Sequence, residues 1–310
     1  MNILSLITPI NLETEKVKFL ASTAYHPIFE YQWEEKHLHN DAEDPLKSQL
    51  YQAVIAQDNL LIMDIAQAYF QVDLETDKDE ADRLLVMKFE KVEEFDLKML
   101  INAYRDAMKF FAIDYEILVN DDPGYGIRPQ NKLRQLHISR SYKYQFMDLK
   151  NSVKHEMVHL IRYENGKLNK IKRTADYLPT EEGLATYVQD YTPTTNVSVF
   201  QHAAEYLGSI TGTRGSLRDI FNQFISLGFD PQLAWQRAAR HKFGFKDTRS
   251  PGDIMKPAMY FNHAQKIKRL TLDEKLRLFS GKIGVSALTD IKKYSGICSK
   301  EQLIDYFELK

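Results

Sequence analysis

The chain has a single cysteine, Cys298, among 310 residues. No internal disulfide can form, so the fold must rest on its core, and an unpaired thiol near a chain end reads as a small apolar residue in a reducing compartment. Long hydrophobic runs are missing as well. No stretch approaches the ~20 apolar residues that span a bilayer, and the first ten positions hold a brief apolar run without a basic leader. A cytoplasmic protein with no membrane partner is expected. Charge of neither sign prevails, since 41 Lys and Arg against 43 Asp and Glu leave a formal net charge of −2. That balance gives no electrostatic reason to bind nucleic acid, and the short basic run Lys170-Ile171-Lys172-Arg173 reads as a solvated loop. Repeats and low-complexity segments are absent. Gly124-Tyr125-Gly126 lacks the strand-glycine-helix setting of a phosphate loop, which argues against nucleotide binding.

What the chain does have is apolar content, 44% of its residues, enough for a substantial core or for two lobes flanking a cleft. Helical periodicity predicts helices near 13–22, 45–56, 58–72, 78–90 and 94–111, broken by turn-rich acidic stretches such as Glu75-Thr76-Asp77-Lys78-Asp79. Tyr115-Glu116-Ile117-Leu118-Val119 and Gln135-Leu136-His137-Ile138-Ser139 then read as strands, with a turn around Asp121-Asp122-Pro123-Gly124 between them. Beyond residue 181 the pattern is helical again, near 181–191, 199–209, 215–227, 231–241, 252–269, 271–279, 284–294 and 299–308. The expected class is α+β and mainly helical. An N-terminal helical region over 1–112 and a catalytic region over 113–310 are expected to form one compact unit.

One motif outweighs the rest. His155-Glu156-Met157-Val158-His159 reads His-Glu-x-x-His, and Phe146, Leu149, Val153, Met157, Leu160 and Ile161 recur at helical spacing around it. On a helix, two histidines four residues apart project from one face and can hold one metal ion, with the intervening Glu156 carboxylate beside it. Asn165-Gly166 followed by Lys167 predicts the helix stop. A catalytic zinc needs a third protein ligand and one open position. Thr180-Glu181-Glu182-Gly183-Leu184-Ala185-Thr186-Tyr187 supplies candidates on a second helix capped by Thr180. Adjacent glutamates point about 100° apart on a helix, so one can face the metal while the other serves behind it or as a cap.

These residues carry a resemblance. His-Glu-x-x-His followed by Glu-Gly-Leu-Ala-Thr-Tyr resembles the gluzincin metallopeptidases, which implies that Glu182, directly before the glycine, is the third zinc ligand beside His155 and His159. Thr180-Glu181-Glu182-Gly183-Leu184-Ala185, His26-Pro27-Ile28-Phe29-Glu30-Tyr31, and Lys256 with Tyr260 in the segment 252–264 resemble the family of microtubule-associated tyrosine carboxypeptidases and their microbial relatives. That family carries three residues between the histidines where this chain has two, a departure that bears on substrate more than on metal. The resemblance implies a gluzincin-like fold, with a small sheet beside the motif helix and a helical C-terminal lobe. It also implies one zinc ion per chain and a peptide or protein C-terminal tail as substrate.

The expected activity is peptide hydrolysis with Glu156 as general base, taking a proton during attack and passing it to the leaving amine. Tyr260, His263 and Tyr187 are candidates to steady the developing oxyanion or the substrate. Removal of a C-terminal residue also needs a fixed cation for the terminal carboxylate, and Arg240 and Lys256 are the candidates. A strand just before the motif helix is expected to offer its edge to an extended peptide. Three alternatives stand beside the carboxypeptidase: a zinc endopeptidase, an inactive zinc-containing peptide-binding module, and a metal-free helical protein with a coincidental motif.

Overall fold

The structure is a computed structural model, described over residues 7–32, 45–87, 95–121, 126–140, 148–193 and 195–310. Its helices, in chain order, are α1 (Leu12–Ala21), α2 (Pro45–Ala56), α3 (Asn59–Phe70), α4 (Lys78–Leu85), α5 (Leu97–Phe110), α6 (Leu149–Leu168) and α7 (Tyr177–Tyr191). They continue as α8 (Ser198–Arg214), α9 (Leu217–Ser226), α10 (Pro231–His241), α11 (Lys256–Lys268), α12 (Leu272–Leu278) and α13 (Lys300–Phe307). Three strands, β1 (Glu116–Asn120), β2 (Ile127–Gln130) and β3 (Gln135–Ser139), form one sheet. The chain is thus α+β and mainly helical, as its periodicity predicts.

Local chemistry explains most helix starts. Asp58, Asp96 and Asp148 each accept a hydrogen bond from a backbone N–H in the first turn that follows. Capping boxes open α9 (Ser216 with Asp219), α12 (Thr271 with Glu274) and α13 (Ser299 with Gln302). Asp230 caps α10 directly before Pro231, a residue whose fixed φ suits the first helical position.

Backbone proximity divides the chain into two compact units, residues 1–86 with 202–262 and residues 87–201 with 263–310. The chain passes between them after residues 86, 201 and 262, and not at the 112/113 boundary drawn from sequence. The first unit centres on Trp235, whose ring meets Phe19 at 4.8 Å and Phe29 at 6.4 Å between centroids. Phe29 belongs to the His26–Tyr31 segment, and its N–H donates to the Lys246 carbonyl at 2.9 Å. In the second unit, α6 packs against α5, α7 and β2.

Four expectations need correction. The strand before the motif helix is not an edge: β3 pairs with β1 in parallel and with β2 antiparallel, so among the described residues the outer strands are β1 and β2. β2 escapes a pattern search because it is short, polar and contains Pro129; the expected turn falls largely on residues 122–125, outside the described residues. Second, Asn165-Gly166 does not stop the motif helix, which runs on to Leu168. The Asn165 side chain is occupied elsewhere, donating to the Phe279 carbonyl and accepting from the Ile297 N–H, both at 2.7 Å. Third, Thr180 does not cap α7, which starts at Tyr177 with Pro179 in its first turn, where a missing N–H costs nothing. Thr180 Oγ1 instead accepts from the Val285 N–H at 3.1 Å.

Fourth, the helix expected over 284–294 shrinks to a 3-10 turn over Val285–Thr289. Arg277 explains this by taking the carbonyls of Leu288 (2.6 Å) and Ile291 (3.0 Å), acceptors that a continuing helix would need.

Candidate metal centre

The motif lies on α6, held by the apolar stripe of Val153, Met157, Leu160 and Ile161, all at most 2% exposed. Phe146, the first residue assigned to that stripe, lies outside the described residues. One turn apart on this buried helix, the His155 and His159 rings stand 5.2 Å from each other between centroids. α7 presents Glu182 to them. Its Oε2 is 3.8 Å from His155 Nε2 and 3.8 Å from His159 Nε2. Among the described residues, these are the three His, Cys, Asp or Glu side chains whose ligand atoms converge, all within 4.8 Å of one another.

Gly183 lets α7 come close. A Cβ there would stand 2.5 Å from His263 Cβ and 2.9 Å from the His263 carbonyl carbon, so no larger residue fits beside Glu182 without a shift. This is where His263 is placed, buried against the turn that carries Glu182.

Glu181 takes the other direction. Its Oε1 accepts from His159 Nδ1 at 2.8 Å and from Lys282 Nζ at 2.6 Å. With Nδ1 engaged as donor, the imidazole keeps Nε2 as its lone-pair nitrogen, the one turned toward Glu182. Burial opposes a charge on Glu181, but Lys282, the His159 hydrogen bond and Arg162 together hold its carboxyl well below the usual carboxylate range. Arg162 is fully buried one turn after His159, with Nη1 3.8 Å from Glu181 Oε2. Its Nε donates to the carbonyls of Leu278 and Gly281, each at 3.0 Å, and Nη2 to that of Ile283.

Glu156 has the opposite electrostatics. Burial pushes its carboxyl up to about 7; His159 works against this, and the carboxylates of Glu182 and Glu181 add to it. His159 is raised as well, because burial is outweighed by Glu182, Glu181 and Glu156 around it. Oε2 of Glu156 is buried with no hydrogen-bond partner among the described residues. A buried polar atom without a partner is costly in a purely structural setting and ordinary where a ligand is meant to bind.

These residues fit a zinc ion. Two imidazole nitrogens and one carboxylate oxygen form a donor set zinc accepts, and donors on a tetrahedral ion lie about 3.4 Å apart, close to the 3.8 Å seen. Three donors leave one position open.

The remaining candidates separate. Tyr187 is buried in the same unit, its ring 6.2 Å from that of Tyr191 with Lys275 Nζ 4.7 Å above it. Arg240, Lys256 and Tyr260 belong to the other unit. There Arg240 and Arg237 both reach Glu205 Oε1, at 3.4 and 2.8 Å. Tyr260 stacks on His202 at 5.9 Å, with Lys256 Nζ 5.8 Å from its ring. Arg162 and Lys282 went unnoticed in the sequence. Arg162 carries a weak signal, three residues after His159 on one helix face, whereas Lys282 lies 101 residues from its partner with no motif to mark it.

No protein-family model and no curated protein matches the chain. No helix of the described residues is long and apolar enough to cross a membrane.

Proposed function

We propose that this protein is a zinc-dependent peptidase, with His155, His159 and Glu182 as metal ligands and Glu156 as general base. The observation that carries this reading is the convergence of three potential ligand atoms within 4.8 Å beside a carboxylate whose Oε2 is buried without a partner among the described residues. A purely structural zinc site is closed by four protein ligands and has no use for a base. Zinc held by His155, His159 and Glu182 would supply Lewis acidity, polarising a substrate carbonyl and lowering the pKa of water at the site.

The protein's own groups do the rest. Glu156 stands beside these residues with Oε2 buried and unpartnered among the described residues, so it is placed to take a proton during the attack and to return it to the departing amine. Glu181 keeps the His159 ring in one orientation throughout. A substrate strand can add to β2, an edge strand packed on α6, which takes over the role expected of β3. The resemblance to tyrosine carboxypeptidases favours release of one C-terminal residue from a peptide or protein tail, with the protein acting in the cytoplasm.

Mass spectrometry of a mixed peptide library incubated with zinc-loaded protein tests this. Loss of single C-terminal residues by wild type and not by Glu156→Gln, both carrying equal zinc, is the expected result. Internal cuts would make the protein an endopeptidase. Equal peptide retention without cleavage by either would make it a binding module.

A further inference from the structure

We infer that Lys282 is a positioning residue for the metal centre, holding Glu181 on His159 against the competing pull of Arg162. The inference rests on the metal reading above and concerns how the second histidine is aimed.

Glu181 stands between two demands. On one side, His159 Nδ1 donates to its Oε1 at 2.8 Å. On the other, Arg162 Nη1 waits 3.8 Å from its Oε2, and neither Nη1 nor Oε2 has a hydrogen-bond partner among the described residues. Both are buried, so a short swing of the carboxylate toward Arg162 would satisfy two orphaned groups at once, a gain that ought to draw Glu181 away from the imidazole. Lys282 opposes that swing. Its Nζ lies 2.6 Å from Oε1, the same oxygen that His159 uses, and so places the lysine's attraction on the histidine side.

The backbone around Lys282 makes the hold firm. Arg162 binds the carbonyls of its two neighbours, Gly281 and Ile283, and that of Leu278. The same short segment is therefore anchored to α6 through Arg162 and reaches α7 through Lys282. Arg162 both competes for Glu181 and fixes the segment that carries its rival. With Lys282 in place, His159 keeps one tautomer and one ring orientation, and its Nε2 stays directed toward Glu182.

Two readouts test this on the full chain. In the first, zinc affinity is measured by chelator competition for wild type, Lys282→Met and Lys282→Arg. Lys282→Met should bind zinc about tenfold more weakly or worse, the usual effect of removing support behind a ligating histidine. Lys282→Arg, which restores a cation at Glu181, should recover most of the loss.

The second readout needs no metal. Nitrogen-15 NMR of the metal-free protein, recorded at a pH high enough for the His159 ring to be neutral, should find the Nδ1-protonated tautomer in wild type and a mixture in Lys282→Met. Unchanged zinc affinity together with an unchanged tautomer in Lys282→Met would overturn the inference. If wild type binds no more zinc than His159→Ala, the metal reading fails, yet the tautomer comparison still decides the role of Lys282. Lys282→Gln replaces the methionine variant if that one does not fold.

Discussion

The candidate metal centre and the cluster around His241 are both buried and both pair histidine with carboxylate, yet they are built on opposite principles. In the first unit, His241 Nδ1 meets Asp253 Oδ2 at 2.7 Å, Ser209 donates to Asp253 Oδ1 at 3.0 Å, and Asp253 also accepts from the Met255 N–H at 2.6 Å. Next to them, Lys242 Nζ donates to the carbonyls of Gly212, Gly215, Ser250 and Gly252 at 2.6–3.2 Å. Among the described residues, His241 Nε2 is the one atom of this cluster without a partner, and it abuts Gly208, where a Cβ would stand 2.9 Å from it. Apart from that nitrogen the cluster closes on itself. In the candidate metal centre Glu182 Oε2 faces His155 Nε2 and His159 Nε2 at 3.8 Å each, too far to hydrogen-bond, and Glu156 Oε2 has no partner among the described residues. A network that satisfies its own polar atoms is structural, whereas one that leaves them converging on a common point is arranged for something outside the chain.

If that contrast holds, damage to the closed network should cost stability most. Burial pulls the Lys242 ammonium down to about 8, against Asp253 and Asp219, so at pH 7 it is still charged and holds its four carbonyls. Lys242→Met would orphan them, and we expect a loss of about 3–5 kcal/mol by urea unfolding, the scale of breaking a buried charged network. A loss under about 1 kcal/mol would mean that water replaces the lysine and that the network is not closed. Gly183→Ala should come next. Its added methyl meets the His263 backbone, and overpacking of that kind costs about 1–3 kcal/mol. Because the shift falls beside Glu182, zinc affinity should drop with it, which Lys242→Met should not cause.

Much of this was legible in the sequence. The motif on α6 and the glutamate on α7 were found because helical spacing of 3.6 residues converts sequence distance directly into a shared face. α10 and α2 were both read at their observed ends from helical periodicity alone. Contacts distant in sequence were not readable. Nothing around Lys282 marks it as a partner of Glu181, and nothing in Asn165-Gly166 reveals that residues 279 and 297 will take up the asparagine side chain. β2 was lost for a different reason, its pairing being set by β3 and not by its own composition.

The open site should also betray itself through pH. In metal-free protein Glu156 titrates near 7 when folded and near its ordinary 4.5 when unfolded. Between those values the folded state binds more protons than the unfolded one, so stability falls as pH rises from 4.5 to 7. The raised His159 acts in the same direction. We expect a decline of about 2 kcal/mol, after discounting for partial exposure of the carboxyl, between melts at pH 5 and pH 8. Glu156→Gln should remove most of it. Metal-free wild type whose stability is flat over that range would mean that Glu156 is well solvated and the site less open than its geometry implies.

The smallest effect sets the boundary between the two kinds of network, because it involves a closed contact on the metal helix itself. Lys154, directly before His155, is fully buried, and its Nζ donates to Glu308 Oε2 at 2.6 Å. The Thr192 hydroxyl and carbonyl lie farther off, at 3.4 and 3.5 Å. Glu308→Gln keeps an acceptor in place but withdraws the charge, and the glutamate side chain is 32% exposed, so water can take up part of the loss. We therefore expect about 1 kcal/mol of destabilisation. Zinc affinity should stay within about twofold of wild type, since the nearest ligand is aimed from a helix face about 100° away from Lys154. If affinity fell as far as it does in Lys282→Met, α6 would be passing strain from a structural contact to a ligand, and the separation between closed and open networks would end at the unit and not at the site.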